Sequence, residues 1–293
     1  MYVKARNKKV TIITNSTLLD SEKIKLLAKL KVDLMEITIN SYNKEIHESI
    51  NGVKNSFEKS IASIKEFIDK GIDVVVPIVI TKYNAKDIEK TLEFIYNLGI
   101  KRIMINRYNI GGNGCNEYNN ILADFDELQN TYKHCQKFAE KYNLKLYSLV
   151  CTPHCVLNPP EYPNIVFSNC GINNLNRKYT LTRDGNIRYC NHSPEIIGNI
   201  FDNNMIDILK SNKLKQWSET EPLFCKSCNK KEQCQYGCRA ASQQMGYSLK
   251  KEDPIVSIYK INNWIKKWIN FWNHKFNRRR NRKHWSKLII LKI

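Results

Sequence analysis

Over residues 10–150, short apolar runs alternate with stretches of helical periodicity, and no other feature limits the fold as much. The runs are KVTIIT, VDLMEITI, IDVVVPIVIT, IKRIMIN and NLKLYSLV. All are short and rich in β-branched residues. Helical patterns are predicted over residues 21–30, 56–70, 85–98 and 125–142. In the second of these, Phe57, Ile61, Ile64, Phe67 and Ile68 recur on one face. Asn55 and Glu58 read as its N-terminal cap and Gly71 as its stop. Asn84 and Gly99 punctuate the next helix in the same way. Strand–helix alternation of this kind predicts an α/β fold with a parallel sheet and right-handed crossovers. Nearly continuous apolar strands such as IDVVVPIVI suit a sheet covered on both faces.

Sites in such sheets form at the carboxyl ends of the strands. The polar residues there are Asn15 and Ser16, Asn40 and Ser41, Thr81, and Arg107. Position alone makes most of them turn and cap residues.

The chain has 293 residues, and 42% of them are hydrophobic. That is enough for a folded core. No apolar run approaches the roughly 20 residues of a membrane span, and none of signal-peptide length precedes Asn15. The expected location is therefore the cytoplasm, where cysteines bind metal more often than they pair. The net charge of +19 invites a nucleic-acid reading. Residues 257–293, however, hold eleven Lys and Arg and no Asp or Glu, which is more than half of that excess. Nucleic acid is therefore not the favoured partner.

Three regions follow: residues 1–150 with the alternation, a loop-rich segment over 151–256, and a basic tail over 257–293. Eight of the ten cysteines lie in the second. Residues 225–238 read CKSCNKKEQCQYGC, a C-x2-C-x5-C-x3-C run. Cys170 is followed by Gly185 and then by Cys190 in GNIRYC. Thiolates suit zinc or iron–sulfur clusters, and the four-cysteine run alone fits either. Six organised thiols exceed what one zinc uses.

The combined pattern, C-x14-G-x4-C followed by C-x2-C-x5-C-x3-C, resembles the SPASM domain, the auxiliary-cluster extension of radical SAM enzymes. YTLTRDGNIRYCNH, IIGNIFDNNMIDILKS and CRAAS also resemble segments of that domain. The region from ITNSTLLD to IHESING is similar to the third and fourth βα units of a radical SAM barrel, and GIDVVVPIVITKYN and LGIKRIMINRYNIGGNG to the next two. The resemblance implies a partial radical SAM barrel, a SPASM domain with up to two auxiliary [4Fe–4S] clusters, and then the tail. It assigns Cys170, Cys190 and Cys238 to one cluster and Cys225, Cys228 and Cys234 to the other. Asn15, Asn40 and Arg107 would line the S-adenosylmethionine side of the barrel. Intact relatives modify peptides or proteins by radical chemistry, so the implied partner is a peptide or protein substrate.

Three departures qualify what the resemblance implies. The 293 residues contain no C-x3-C-x2-C loop, which holds the cluster that binds S-adenosylmethionine; CTPHC at 151–155 lacks the third cysteine. No Gly-Gly-Glu segment is present either, and the resemblance begins mid-barrel, with roughly two βα units unaccounted for. The expectation is an N-terminally shortened member that does not cleave S-adenosylmethionine alone and is completed, if at all, by a separately encoded N-terminal half. Val256 stands where the family's seventh cysteine falls, so the second cluster lacks a fourth thiolate. Cys151 or Cys155 is a candidate fourth ligand of the first cluster, and Asp253, water or a neighbouring thiol of the second. Asn191 replaces an Asp that sulfatase-maturing members use as a base, which argues against formylglycine formation. His192 next to it reads as a hydrogen-bonded loop residue. The rival readings are a non-enzymatic iron–sulfur module, a zinc-stabilised nucleic-acid binder, and a gene fragment. In the tail, Trp264, Trp268 and Trp272 recur at helical spacing. They predict a helix packed on the domain, ahead of one lying on a membrane surface or nucleic acid.

Overall fold

A computed structural model describes residues 1–170 and 179–260. The chain divides into two compact units, Met1–Pro254 and Ile255–Ile293. The Trp-rich helix expected in the tail lies outside the described residues.

Six parallel strands form one sheet in the order β1-β2-β3-β4-β5-β6. They are β1 (Thr11–Thr14), β2 (Leu34–Ile37), β3 (Val74–Ile80), β4 (Ile103–Arg107), β5 (Leu146–Ser148) and β6 (Ile165–Phe167). Helix α1 (Ser21–Lys29) joins the first pair; α2 (Lys44–Asn51) and α3 (Ser56–Asp69) join the second. Helix α4 (Ile88–Asn97) follows β3, and α5 (Gly114–Ile121) and α6 (Phe125–Lys141) follow β4. The expected α/β parallel sheet is therefore present. Its centre is β3, in which six of seven residues are buried. β1 pairs only with β2, and its Ile13 is exposed.

Side-chain caps start three of these six helices. Asp20 accepts the Lys23 N–H, Asn43 accepts the Ile46 N–H, and Asp124 and Glu127 form a reciprocal capping box. One expectation fails here. Asn55 is left-handed (φ 59°) and its side chain makes no cap bond to α3, while Glu58 pairs with Lys44 instead. The buried face of α3 is also rotated from the one predicted. Ser56, Ser60, Ser63, Ile64 and Phe67 are buried, whereas Ile68 is exposed. The small serines let the helix come close to the β1 end, where Ser60 Oγ donates to the Asn15 carbonyl at 3.1 Å.

Two helices and one strand were not foreseen: α2, α5 and β6. The sixth strand adds to the sheet from within the loop-rich segment, so the crossover from β5 to β6 carries CTPHC.

Beyond β6, three short strands, β7 (Thr180–Leu181), β8 (Asn186–Arg188) and β9 (Ile196–Asn199), form an antiparallel sheet. Short helices follow: α7 (Met205–Leu209), α8 (Asn212–Glu219), α9 (Lys231–Cys234) and α10 (Arg239–Gln244). A small core of Ile187, Tyr189, Ile197, Ile208, Trp217, Cys238, Ala240 and Ala241 holds them together. Trp217 lies against Tyr189 at a ring separation of 4.2 Å. The guanidinium of Arg239 caps the α8 end by donating to the Trp217 and Thr220 carbonyls. Among the described residues, no helix is long and apolar enough to cross a membrane.

Candidate metal centres at the sheet's carboxyl edge

All ten cysteines are free. Eight fall into two groups of four. Cys151, Cys170 and Cys190 pack against the small core that contains Cys238. The Cys151 thiol is pushed well above the ordinary range, foremost by a hydrogen bond with Cys170 and then by burial. Burial pushes Cys238 up to about 12, with the charge of Asp253 adding to it. The second group is Cys155, Cys225, Cys228 and Cys234. Burial pushes Cys225 up to about 12, and Cys234, Cys155 and Cys228 all add to the shift. Free thiols packed this way favour the protonated form, and a bound metal reverses that preference. Among the described residues, no three His, Cys, Asp or Glu side chains form a group tight enough to hold one ion.

Strand β4 sets the first group. Its last residue, Arg107, is only 1% exposed, although arginine is almost never buried without partners. It donates to the Asp253 carboxylate, to the Cys151 carbonyl at 2.9 Å and to the Tyr108 carbonyl at 3.2 Å. Asp253 Oδ2 in turn accepts the Cys238 backbone N–H at 2.9 Å. One buried ion pair thus fixes the backbone of two cysteines 87 residues apart in the chain. Asn106 Oδ1 accepts the N–H groups of Leu149 and Val150 at 2.8 and 3.2 Å, holding the strand exit that leads to Cys151.

Donors are aimed at the sulfurs. Asn109 Nδ2 donates to Cys238 Sγ, Ser193 N–H to Cys190 Sγ and His154 N–H to Cys234 Sγ, each at 3.3 Å. Such N–H···S contacts stabilise thiolate and tune a metal centre held by it. Between Cys234 and Cys238 the chain makes an unusual turn: Gln235, Tyr236 and Gly237 all have positive φ (50°, 69° and 71°). Left-handed conformations in the first two residues cost of order 1 kcal/mol each. This turn aims the Tyr236 and Gly237 N–H groups at Cys234, where they oppose the upward shift that burial imposes on its thiol. Gly237 is required twice over, because a Cβ there would also lie 2.5 Å from Pro153 Cγ.

The predicted cofactor residues all lie at strand carboxyl ends, but their side chains are engaged within the protein. Asn15 is exposed and closes a turn onto Thr17, its Oδ1 accepting from Thr17 N–H and Oγ. Asn40 is buried; it donates to Asn51 Oδ1 at 2.9 Å and accepts the Val79 N–H at 3.1 Å. Arg107 is committed to Asp253 and the Cys151 loop. His192 is hydrogen-bonded as expected: Nε2 faces the Ile110 carbonyl at 2.8 Å and is therefore the protonated nitrogen. Burial lowers its pKa. Gly111 leaves room for that ring, since a Cβ there would lie 2.2 Å from Cε1.

Sequence reasoning took Asn84 for a helix cap, a bond its side chain does not make, and missed Asn106 and Asn109. Buried Asn84 accepts from the Thr81 N–H and donates to the Asn40 and Val79 carbonyls, tying the ends of β2 and β3 together. An Asn just past an apolar run was the available signal, but it reads equally well as a turn.

Comparison with known proteins bears on the fold. Residues 1–95 match the model of the radical SAM superfamily. The parallel α/β sheet agrees with that match, which covers the first third of the chain. Among curated relatives, the antilisterial bacteriocin subtilosin biosynthesis protein AlbA of Bacillus subtilis (strain 168) is 26% identical over 233 residues, 78% of this chain and 49% of AlbA. The PqqA peptide cyclase of Gluconobacter oxydans (strain 621H) is 22% identical over 259 residues, 84% of this chain and 68% of the cyclase. The chain therefore spans about half the length of AlbA. Streptococcus suis SuiB superposes with a TM-score of 0.66 at 20% identity, covering 86% of this chain and 61% of SuiB. The enzyme anSMEcpe, solved with AdoMet and the Kp18Cys peptide, gives 0.63 at 20% identity, covering 91% and 76%. Likeness at this identity shows the fold.

Proposed function

We propose that this chain is the cluster-bearing part of a radical SAM/SPASM-type protein of the peptide-modifying lineage, and that it holds two auxiliary iron–sulfur centres. The carrying observation is the gathering of eight thiols into two groups of four beside the carboxyl ends of the sheet. Soft sulfur donors with N–H groups aimed at them fit an iron–sulfur cluster, which takes four thiolates. Cys170, Cys190 and Cys238 serve one centre; Cys225, Cys228 and Cys234 serve the other. When bound, such clusters supply one-electron transfer next to the substrate space of the barrel.

The chain's own residues do the positioning. Arg107 and Asp253 lock the first centre's loops to β4, and Asn109 and Ser193 donate to its sulfurs. The relatives point to a peptide as the class of substrate: SuiB has been solved bound to its precursor peptide SuiA, and anSMEcpe with a peptide. The 293 residues contain no C-x3-C-x2-C loop. By themselves they therefore do not cleave S-adenosylmethionine, and Asn15, Asn40 and Arg107 would meet that cofactor only in a completed barrel. A C-x3-C-x2-C loop, wherever it is encoded, is what such a barrel requires.

Two measurements test it. Anaerobic reconstitution should give a brown protein, and Cys170→Ala should abolish a different spectral component from Cys225→Ala. Incubation with dithionite and S-adenosylmethionine should release no 5′-deoxyadenosine. A colourless, zinc-loaded protein would refute the clusters, and 5′-deoxyadenosine formation would refute the division of labour. A non-enzymatic electron-carrier role is the second reading, favoured by the missing loop; it predicts reversible reduction of both centres with no substrate turnover.

A further inference from the structure

We propose that the CTPHC segment feeds both centres, with Cys151 completing the first and Cys155 supplying the fourth thiolate of the second. This rests on the iron–sulfur reading above and assigns the two ligands it leaves open, the harder being the fourth of the second centre. The resemblance offers no thiol for the position, because Val256 carries no donor atom. Asp253 was the nearest alternative, but its Oδ2 is already taken by Arg107 and the Cys238 N–H.

The geometry places Cys155 with the second group by several independent contacts. His154, the residue before it, donates its N–H to Cys234 Sγ at 3.3 Å. Pro153 lies against Gly237, close enough that a Cβ there would collide with it. The N–H groups of Val156 and Leu157 both close onto the Pro153 carbonyl, at 2.8 and 3.1 Å, so the turn carrying Cys155 is tightly wound. Two further clasps hold the crossover to the 230s loop: Lys230 Nζ to Asn158 Oδ1 at 2.8 Å, and Asn169 Nδ2 to the Gln233 carbonyl at 2.7 Å.

Cys155 itself remains exposed. At the other end of the segment, Cys151 packs with Cys170 against the small core and its carbonyl is held by Arg107 at 2.9 Å. Three residues separate the two thiols, with Pro153 fixing φ between them. A single short crossover thus anchors both centres to the parallel sheet.

Exposure makes the test direct. Full-length protein is reconstituted anaerobically with iron and sulfide and treated with iodoacetamide. Alkylation is then mapped by mass spectrometry before and after iron is stripped with a chelator. Cys155 should be protected at least tenfold in the loaded protein and become reactive once the iron is removed, while Cys115, outside both groups, should change little. In parallel, Cys155→Ala should alter the spectral component lost in Cys225→Ala and leave the one lost in Cys170→Ala intact. Iron-loaded protein whose Cys155 alkylates as fast as in the stripped chain overturns this inference alone. So does a Cys155→Ala spectrum that matches Cys170→Ala. A chain that takes up no iron overturns it together with the reading it rests on.

Discussion

The six-stranded sheet and the cysteine-rich segment that follows it are stabilised by different physics. The sheet buries long apolar side chains on both faces: Ile37, Ile64, Phe67, Val76, Ile78, Leu92 and Ile105 are all fully buried. At about 25 cal/mol per Å² of apolar area removed from water, that burial needs no outside partner. The cysteine-rich segment has strands of two to four residues, helices of four to eight, and a core of eight residues, one of them a cysteine. What binds it to the sheet is polar: Arg107, Asp253, Asn106, Asn109 and the CTPHC turn. The teaching point is that the first region folds by its own composition. On the proposed reading, bound metal would supply the cohesion that the second lacks, as in small metal-dependent domains.

The largest expected effect follows directly. Stripping iron from the reconstituted protein should strongly raise hydrogen exchange over residues 179–254 while β3 and β4 stay protected. Equal deprotection of both regions would erase the contrast.

Next in size is the clamp between the regions. Arg107→Ala leaves the Asp253 carboxylate buried without its main counter-charge, a loss of about 3–5 kcal/mol in urea unfolding. It should also lower iron content, because Cys151 and Cys238 lose their anchor. A loss below about 1 kcal/mol would mean that the pair is incidental.

A third effect belongs to the sheet alone. His47 is fully buried, its Nδ1 accepting the Asn40 N–H at 3.1 Å. Burial lowers its pKa to about 4, against smaller upward pushes from Glu48 and Glu58. The unfolded chain takes up this proton near pH 6.5 and the folded chain only near pH 4. Stability is therefore unaffected above that window, falls as the pH drops through it, and levels off below. The loss approaches about 3 kcal/mol. His47→Gln should flatten that part of the profile; an unchanged slope would contradict it.

The smallest effect expected is Asp124→Ala, which removes one half of the capping box of α6 and should cost about 1 kcal/mol without touching iron content.

Much of the first region was legible in the sequence because burial on a periodic element leaves a period in the text. Five strands and the cores of α1, α3, α4 and α6 follow from it. β6 was not, since its three residues, Ile165–Phe167, carry no period. The α5 segment, GCNEYNNI, was hidden by its polarity. The buried serines of α3 were missed because a small polar side chain at a close crossing looks like a solvated one. At the site, spacing marks six cysteines as a set. Which of Cys151 and Cys155 serves which centre depends on where the β5–β6 crossover lands, a tertiary fact with no local signature. The same is true of Arg107, which reads as a strand-end polar residue until Asp253 is seen against it.

The central claim is that this chain carries two four-thiolate iron–sulfur centres. Iron and acid-labile sulfide, counted together with Mössbauer spectra on anaerobically reconstituted full-length protein, test it most directly. The account predicts about eight irons and about eight sulfides per chain, in two distinguishable cubane environments. About one or two zinc ions per chain and no sulfide, or iron without the second environment, would contradict it.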